Sequence, residues 1–374
     1  MIDRAIEAGF SAAFFQQKVL VLYGPRQTGK TTLVRKVVEQ KGHPYLWLSG
    51  DEADVRHMLT DTNRTTLAGL FGRYRTVVID EAQRIRNIGL TLKIAVDFFP
   101  DVQVVATGSS SFELANEINE PLTGRKKQFV LFPISFGEMV SQDSLLEEKR
   151  RIEQRLRFGS YPEIVSSPGS EIELLQELAE SYLYKDVLSL DRIRKPELLR
   201  KLLTALALHV GSEVKYAELA QLLGVDNETI ERYIDLLEKT FIVFRLPSLN
   251  RNMRNEIKKG RKIYFLDTGI RNHVINNFNP MDLRTDAGAL WENWLIVERM
   301  KKLHYSGARA NTYFWRTVSQ QEIDYIEERG GVLEAWEFKW TATSKPRIPP
   351  SFLSAYPDSK ASTVNRESVD AFLT

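Results

Sequence analysis

Short apolar runs alternate with amphipathic stretches through the first third of the chain. Lys18 to Tyr23 (KVLVLY), Tyr45 to Leu48, Thr76 to Ile79 (TVVI) and Val102 to Ala106 (VQVVA) are the apolar runs. Runs this short suit strands buried on both faces of a parallel sheet. A helical pattern from Thr32 to Gln40 lies between the first two. The alternation predicts an α/β fold. Residues 141–195 read as mostly helical and charged, interrupted at Ser166-Ser-Pro-Gly-Ser170, and Pro196 opens the next helix. Tyr216 to Leu223 reads as an amphipathic helix stopped by Gly224, and Asn227 to Leu237 as a second. Ala220, Gly224 and Ile230 have helix-turn-helix spacing. Further on, the pattern predicts a helix over Ala289–Met300. Two strand-like runs follow, Gln321 to Ile326 and Val332 to Trp340, with Gly330-Gly331 between them as a hairpin turn.

The first strand runs into Gly24-Pro25-Arg26-Gln27-Thr28-Gly29-Lys30-Thr31, followed by Thr32. Strand, glycine loop and helix with GxxxxGK[ST] spacing is a P-loop in its required context. Gly24 and Gly29 are expected to let the backbone wrap a phosphate without Cβ clashes. Successive N–H groups and the positive end of the helix would face the anion. Lys30 would reach the β and γ phosphates, and Thr31 would ligate Mg²⁺. The third strand ends in Asp80-Glu81, a Walker B pattern. Asp80 would hold the Mg²⁺ shell, and Glu81 would polarise the attacking water. The fourth ends in Thr107-Gly-Ser-Ser-Ser111, at the strand end where ligands of open α/β sheets bind. There Ser109 would sense the γ-phosphate or orient water, or the serines would cap a helix. Arg125 fits either an arginine finger on a second copy's ATP or a surface basic cluster with Lys126 and Lys127.

The 374 residues hold 51 Lys plus Arg against 49 Asp plus Glu, so only local charge clusters bear on a nucleic-acid partner. The lack of cysteine excludes disulfides, cysteine-ligated zinc, iron–sulfur clusters and thiol catalysis. The five histidines have no metal-ligand spacing. No apolar run approaches the roughly 20 residues of a membrane helix, and charges at Asp3, Arg4 and Glu7 argue against a secretory signal. The expectation is a cytoplasmic protein with no membrane partner.

Gly24–Thr31, Ile79-Asp-Glu-Ala-Gln83, Thr107–Ser111, Leu122-Thr-Gly-Arg125 and Leu131-Phe-Pro-Ile-Ser-Phe136 occur together in this order. So do Gly159-Ser-Tyr-Pro-Glu163, Tyr264-Phe-Leu-Asp-Thr-Gly269 and Leu290-Trp-Glu-Asn293. The chain thereby resembles, over nearly its whole length, the bacterial and archaeal AAA-type ATPases that carry a C-terminal domain of unknown function. The resemblance implies a P-loop AAA-type ATPase domain, a winged-helix-like module and an α/β restriction-endonuclease-like C-terminal domain. The expected boundaries are 1–145 for the ATPase, 146–195 for a helical linker or lid, 196–250 for the winged-helix-like module and 251–374 for the nuclease-like domain.

Helix 227–237 carries a poor charge for a DNA-reading helix, with Asp226, Glu228, Glu231, Asp235 and Glu238 in its neighbourhood. Residues 245–262 carry Arg245, Arg251, Arg254, Lys258, Lys259, Arg261 and Lys262 against Glu256 alone, as a DNA contact or an ordinary solvated loop. In the predicted hairpin, pairing Arg329 with Val332 sets Asp324 opposite Glu337 and puts Glu337 and Lys339 on one face. Two carboxylates and a lysine, with Glu292 as a further acid, are what a D-(x)n-(D/E)xK nuclease site with a second Mg²⁺ or Mn²⁺ requires, or else they form a polar hairpin face with a structural ion pair. Three uses of ATP follow. The first is a gated nuclease. The second is an ATP-switched scaffold or DNA-binding regulator with a silent nuclease fold. The third is a module whose acidic helix at 226–238 recruits a protein partner.

Overall fold

The computed structural model describes residues 2–109, 122–180, 196–250, 260–317, 319–341 and 348–374. The chain divides into two compact units. One comprises Met1–Pro133 with Lys239–Phe241, and the other Ile134–Glu238 with Ile242–Thr374.

The first unit is built on a parallel sheet of β1 (Val19–Tyr23), β2 (Tyr45–Ser49), β3 (Thr76–Asp80), β4 (Gln103–Gly108) and β5 (Lys126–Val130), in the order β2-β3-β4-β1-β5. The inner strands β1 and β4 are buried throughout, which is why they read as unbroken apolar runs. The edge strands β2 and β5 are only partly buried. β5 begins Lys126-Lys127-Gln128 and has no apolar pattern to betray it. Charged side chains on an edge strand also discourage pairing with another chain.

Two helices precede and follow β1. α1 (Glu7–Ala12) buries Phe10, edge-on to Phe14 at 5.6 Å and Phe129 at 5.2 Å. α2 (Lys30–Gln40) buries Leu33, Val34, Val37 and Val38, the i, i+1, i+4, i+5 stripe of a helix on a sheet. The turn out of β1 is tight. Leu131 N–H donates to Tyr23 O at 2.9 Å, and a Cβ on Gly24 would lie 2.3 Å from the Leu131 carbonyl oxygen.

The second unit begins where the Ile134 N–H donates to Ser160 O at 2.9 Å. The Phe136 N–H donates to buried Glu298 at 2.6 Å, and its ring stands edge-on to Trp294 at 5.8 Å. The compact unit that holds the parallel sheet thus ends at Pro133, within the 1–145 expected for the ATPase. The described part of the expected lid, 146–180, belongs to the second unit. Residues 181–195 lie outside the described residues.

Next comes a helix–strand–helix–helix–strand–strand series: Pro196–Leu208, β6 (Glu213–Val214), Tyr216–Leu223, Asn227–Lys239, β7 (Val243–Pro247) and β8 (Arg261–Phe265). Its antiparallel sheet has the order β6-β8-β7. β8 completes this sheet, so the expected cut at 250 falls inside the module. A second sheet, ordered β12-β11-β10-β9, contains β9 (Asn311–Arg316), β10 (Glu322–Arg329), β11 (Val332–Phe338) and β12 (Lys360–Val364). β12 runs parallel to β11. Leu249 N–H joins the two sheets by donating to Phe314 O at 2.6 Å. The helix Ala287–Ser306 buries Trp291, Trp294 and Leu295 in a core shared with Tyr264, Tyr325 and Phe338.

The motifs of the second half are joints of this core. Asp267 accepts from Ile270 N–H at 3.1 Å, capping the helix Thr268–Val274, and from Ser160 N–H at 2.7 Å. Asn293 bonds both the N–H and the C=O of Phe265, at 2.9 and 2.7 Å. Asp286 is clamped by Arg284 at 2.8 Å and by Arg271.

Two predictions follow from this packing. Burial pushes the Asp286 carboxyl up, but the hydrogen bonds and charges of Arg284 and Arg271 outweigh it and hold its pKa at about 2. A depressed acid stabilises the fold above its unfolded pKa of about 3.9, and that contribution disappears as pH falls towards 2. The shift corresponds to about 2 kcal/mol. Denaturant unfolding between pH 5 and pH 2 should show that loss in the parent and a flatter acid limb in Asp286→Asn. Gly24→Ala should lower stability by about 2 kcal/mol or more, because Cβ cannot coexist with the Leu131 carbonyl and the positive φ adds strain. Thermal unfolding monitored by circular dichroism checks it.

Candidate active site

The parallel sheet brings the carboxyl ends of β1, β3 and β4 to one edge of the first unit, where the order of strands reverses at β1. Gly29 sits at the N-cap of α2 with φ +89°, a conformation that suits glycine, so the loop enters the helix without a side chain. Nothing lies within 4 Å of a Cβ built there, whereas Gly24 is held by its approach to Leu131. The two loop glycines thus have different reasons, and for Gly24 the reason is packing against the strand end rather than clearance for a ligand.

Lys30 is buried, and its ammonium donates to Gly24 O at 3.0 Å and Pro25 O at 2.7 Å. It is stationed inside the loop on carbonyls that an incoming anion can replace. Thr28 is fully buried and closes the loop from within, its hydroxyl donating to Pro25 O at 2.9 Å. The Thr31 hydroxyl lies 3.2 Å from Asp80 Oδ2, joining the start of α2 to the end of β3. Thr107, at the end of β4, donates its hydroxyl to the other oxygen of Asp80. These are hard oxygen donors in the sparse arrangement that suits Mg²⁺, which is usually held by one or two protein ligands together with substrate phosphates and water.

Glu81 adopts a left-handed conformation, φ +49°, and its N–H reaches Thr107 Oγ1 at 3.4 Å. Gln83 donates to Glu81 Oε2 at 2.5 Å and to the buried Ser109 Oγ at 3.2 Å. Ser109 is therefore tied to Glu81 through one amide. A helix cap beyond it falls on residues 110–121, outside the described residues. Sequence reasoning singled out Ser109 but missed Gln83, which links it to Glu81, and Thr107, which bonds Asp80. Both stood inside quoted motifs, and the polar strand end was the available signal. Pro25, Arg26, Gln27 and Thr32 lie in the same loop and first helical turn.

Arg125 lies at the start of β5, whose register with β1 runs from Val19↔Lys126 to Tyr23↔Val130. That is the end of the sheet away from the P-loop. Its guanidinium donates to Asp97 at 2.6 Å.

In the second unit the hairpin has the anticipated register. Arg329 pairs with Val332 and Tyr325 with Trp336, while Gly330 and Gly331 both have positive φ, as a two-residue turn requires. A β-bulge interrupts β10 against β9 between Ile323 and Ile326. Asp324 accepts the Phe338 N–H at 2.7 Å, and Lys339 pairs with Glu337 at 3.1 Å. Glu292 is turned to Lys262 at 2.8 Å and to the Tyr264 hydroxyl at 2.5 Å. Lys262 also pairs with Glu322. Burial and the nearby carboxylates of Glu292 and Glu337 raise the Asp324 pKa well above the usual range, against the pull of Lys262. Burial likewise raises Glu337. Among the described residues no three acidic or imidazole side chains form a group that could hold a metal ion. Glu292 and Glu337 lie near enough to Asp324 to raise it, and each of the three acids also has a lysine, hydroxyl or N–H partner.

The basic stretch also differs from its count. Arg245 bonds Glu238, 2.7 Å from Nε, and Asp235. Arg261 stacks over Tyr216 at 5.4 Å and lies 3.7 Å from Glu231, while Lys262 is buried. Glu231, Asp235 and Glu238 recur at helical spacing, so one acidic face of Asn227–Lys239 is neutralised within the module. Arg251, Arg254, Lys258 and Lys259 lie outside the described residues.

Residues 16–140 match a family model described as an AAA domain, residues 149–281 one described as a domain of unknown function (DUF8612), and residues 287–370 another (DUF4143). Uncharacterized proteins of Mycobacterium bovis and Mycobacterium tuberculosis are each 29% identical over 362 residues, covering 95% of this chain and 77% of theirs. One from Methanocaldococcus jannaschii is 22% identical, covering 98% and 84%. Among solved structures, the Thermotoga maritima RuvB Holliday junction branch migration motor is similar with TM-score 0.29 and 22% identity, over 69% of this chain and 95% of that one. At that score the likeness decides nothing about this chain. No helix among the described residues is long and apolar enough to cross a membrane. The match over 16–140, the parallel sheet and the loop geometry agree: the first unit is a mixed α/β P-loop fold similar to AAA domains.

Proposed function

We propose that the first unit binds and hydrolyses ATP with Mg²⁺, in the cytoplasm, and that nucleotide state governs what the second unit binds. One observation carries the first part: the Thr31 and Thr107 hydroxyls converge on Asp80 beside a P-loop whose Lys30 is already stationed within it. Lys30 exchanges its two loop carbonyls for phosphate oxygens. Thr31 and Asp80 are the residues that would hold Mg²⁺, which when bound neutralises phosphate charge. Glu81 is the general base or water-orienting group, positioned by Gln83 and Ser109. Arg125 reaches a nucleotide only from a second copy and after leaving Asp97.

The helix–strand–helix–helix–strand–strand order supports a winged-helix-like module, with DNA as the partner through residues 245–262. For the four-stranded domain, the embedded Lys262 and the paired state of each acid favour an ATP-switched scaffold or DNA-binding regulator with a silent nuclease-like fold. The hairpin register supports the second reading, metal-dependent cleavage at Asp324, Glu337 and Lys339 with Glu292 as a further ligand.

Lys30→Ala should abolish nucleotide binding. Glu81→Gln should retain binding but lower turnover by about 100-fold or more, as loss of a general base does. Phosphate release and binding of a fluorescent ATP analogue check both, and a Lys30→Ala protein that still hydrolyses ATP sinks the proposal. If Arg125 acts between copies, specific activity rises with protein concentration and Arg125→Ala removes the rise. The third test is incubation of single- and double-stranded DNA with Mg²⁺ or Mn²⁺, with and without ATP. Binding without cleavage is expected. Cleavage that Asp324→Ala abolishes would establish the second reading. No salt-dependent DNA binding at all would instead favour a protein partner on the acidic helix at 226–238.

A further inference from the structure

We infer that Arg4, which lies outside the matched AAA region, is a positioning residue for the phosphate loop: it sets the orientation of the Thr28–Gly29 peptide from behind. This rests on the reading of the first unit as an ATP site. The Arg4 guanidinium donates from Nη1 to Thr28 O at 2.7 Å and from Nη2 to Phe132 O at 2.6 Å. One planar fork therefore spans the loop and the chain just beyond β5. A trans peptide places C=O and N–H on opposite sides. Pinning the Thr28 carbonyl towards Arg4 aims the Gly29 N–H the other way. Gly29 is the N-cap of α2, and the N–H groups at that helix end are the ones that hold an anion.

The segment bearing Arg4 is independently anchored. Lys36, on α2, pairs with Asp3 at 2.9 Å and Glu7 at 2.8 Å, and Lys41 donates to Ser11 O at 2.9 Å. These contacts hold the segment to the helix without touching the loop, which gives the inference its control. Glycine at position 29 is conformationally permissive, so the peptide before it can rotate unless something outside the loop restrains it. Arg4 supplies that restraint with two directed donors. Lysine could offer only a point charge to one carbonyl at a time.

An N–H that meets the same phosphate in the ground and transition states contributes uniform binding, so its misorientation raises KM and leaves kcat alone. The test uses the full chain with steady-state ATP hydrolysis and equilibrium binding of ADP. Arg4→Met is expected to raise the KM for ATP and the Kd for ADP about tenfold, with kcat within twofold of the parent. Arg4→Lys should fall between the two. Asp3→Asn combined with Glu7→Gln, which loosens the segment but spares the carbonyl contacts, should leave both constants within twofold. The inference is overturned if Arg4→Met matches the parent, or if the Asp3/Glu7 double variant weakens nucleotide as much as Arg4→Met does. Should Arg4→Met fail to fold, Arg4→Lys decides: constants equal to the parent's overturn it. A parent that neither binds nor hydrolyses ATP removes the ATPase reading and this inference together. An active parent with an indifferent Arg4 removes the inference alone.

Discussion

Asp80 is the point on which the first unit turns. Its two carboxylate oxygens receive hydroxyls from the beginning of α2 and the end of β4, and Asp80 itself ends β3. Three elements distant in the chain meet on one side chain. The arrangement is possible because parallel strands all deliver their carboxyl ends to one edge. The burial of β1 and β4 on both faces keeps those ends in register. A carboxylate there without its hydroxyl partners would lose the hydrogen bonds that fix its direction.

The second unit has no such single focus. Its acids are distributed among local partners: Asp324 with a backbone N–H, Glu337 with Lys339, and Glu292 with Lys262 and Tyr264. Desolvation and neighbouring carboxylates raise Asp324 and Glu337, and Lys262 and Lys339 respectively offset part of that. The same economy governs the helix–strand module, where Glu231, Asp235 and Glu238 face Arg245 and Arg261. Among the described residues, Arg245, Arg261 and Lys262 of the basic stretch are thus each paired with an acid.

Much of this was legible in the sequence where burial and chain chemistry coincide. The buried strands, the P-loop, the Asp80-Glu81 pair and the Gly330-Gly331 hairpin all leave a local signature. β5 did not, because an edge strand needs no apolar alternation, and Lys126-Lys127-Gln128 reads as loop. Strand β12 and the helix Val369–Leu373 carry no motif, and their role is set by distant partners in β11 and the core. Thr107, Gln83 and Lys262 were hidden for the same reason: their partners are far away or across a turn, and spacing along the chain does not report them. Ile134 and Phe136 take their partners from Ser160 and Glu298, a preference that no local pattern encodes.

Lys262 has one further consequence. It is a strand residue of the three-stranded sheet, yet it is bonded to Glu292 on the long helix and Glu322 on the four-stranded sheet. Loss of this shared buried cation would leave Glu292 and Glu322 without their common partner, and a buried charge left uncompensated costs several kcal/mol. The three-stranded and four-stranded sheets are therefore tied through one buried cation. They should melt as a single cooperative block, and hydrogen exchange in β8 and β10 should report the same opening.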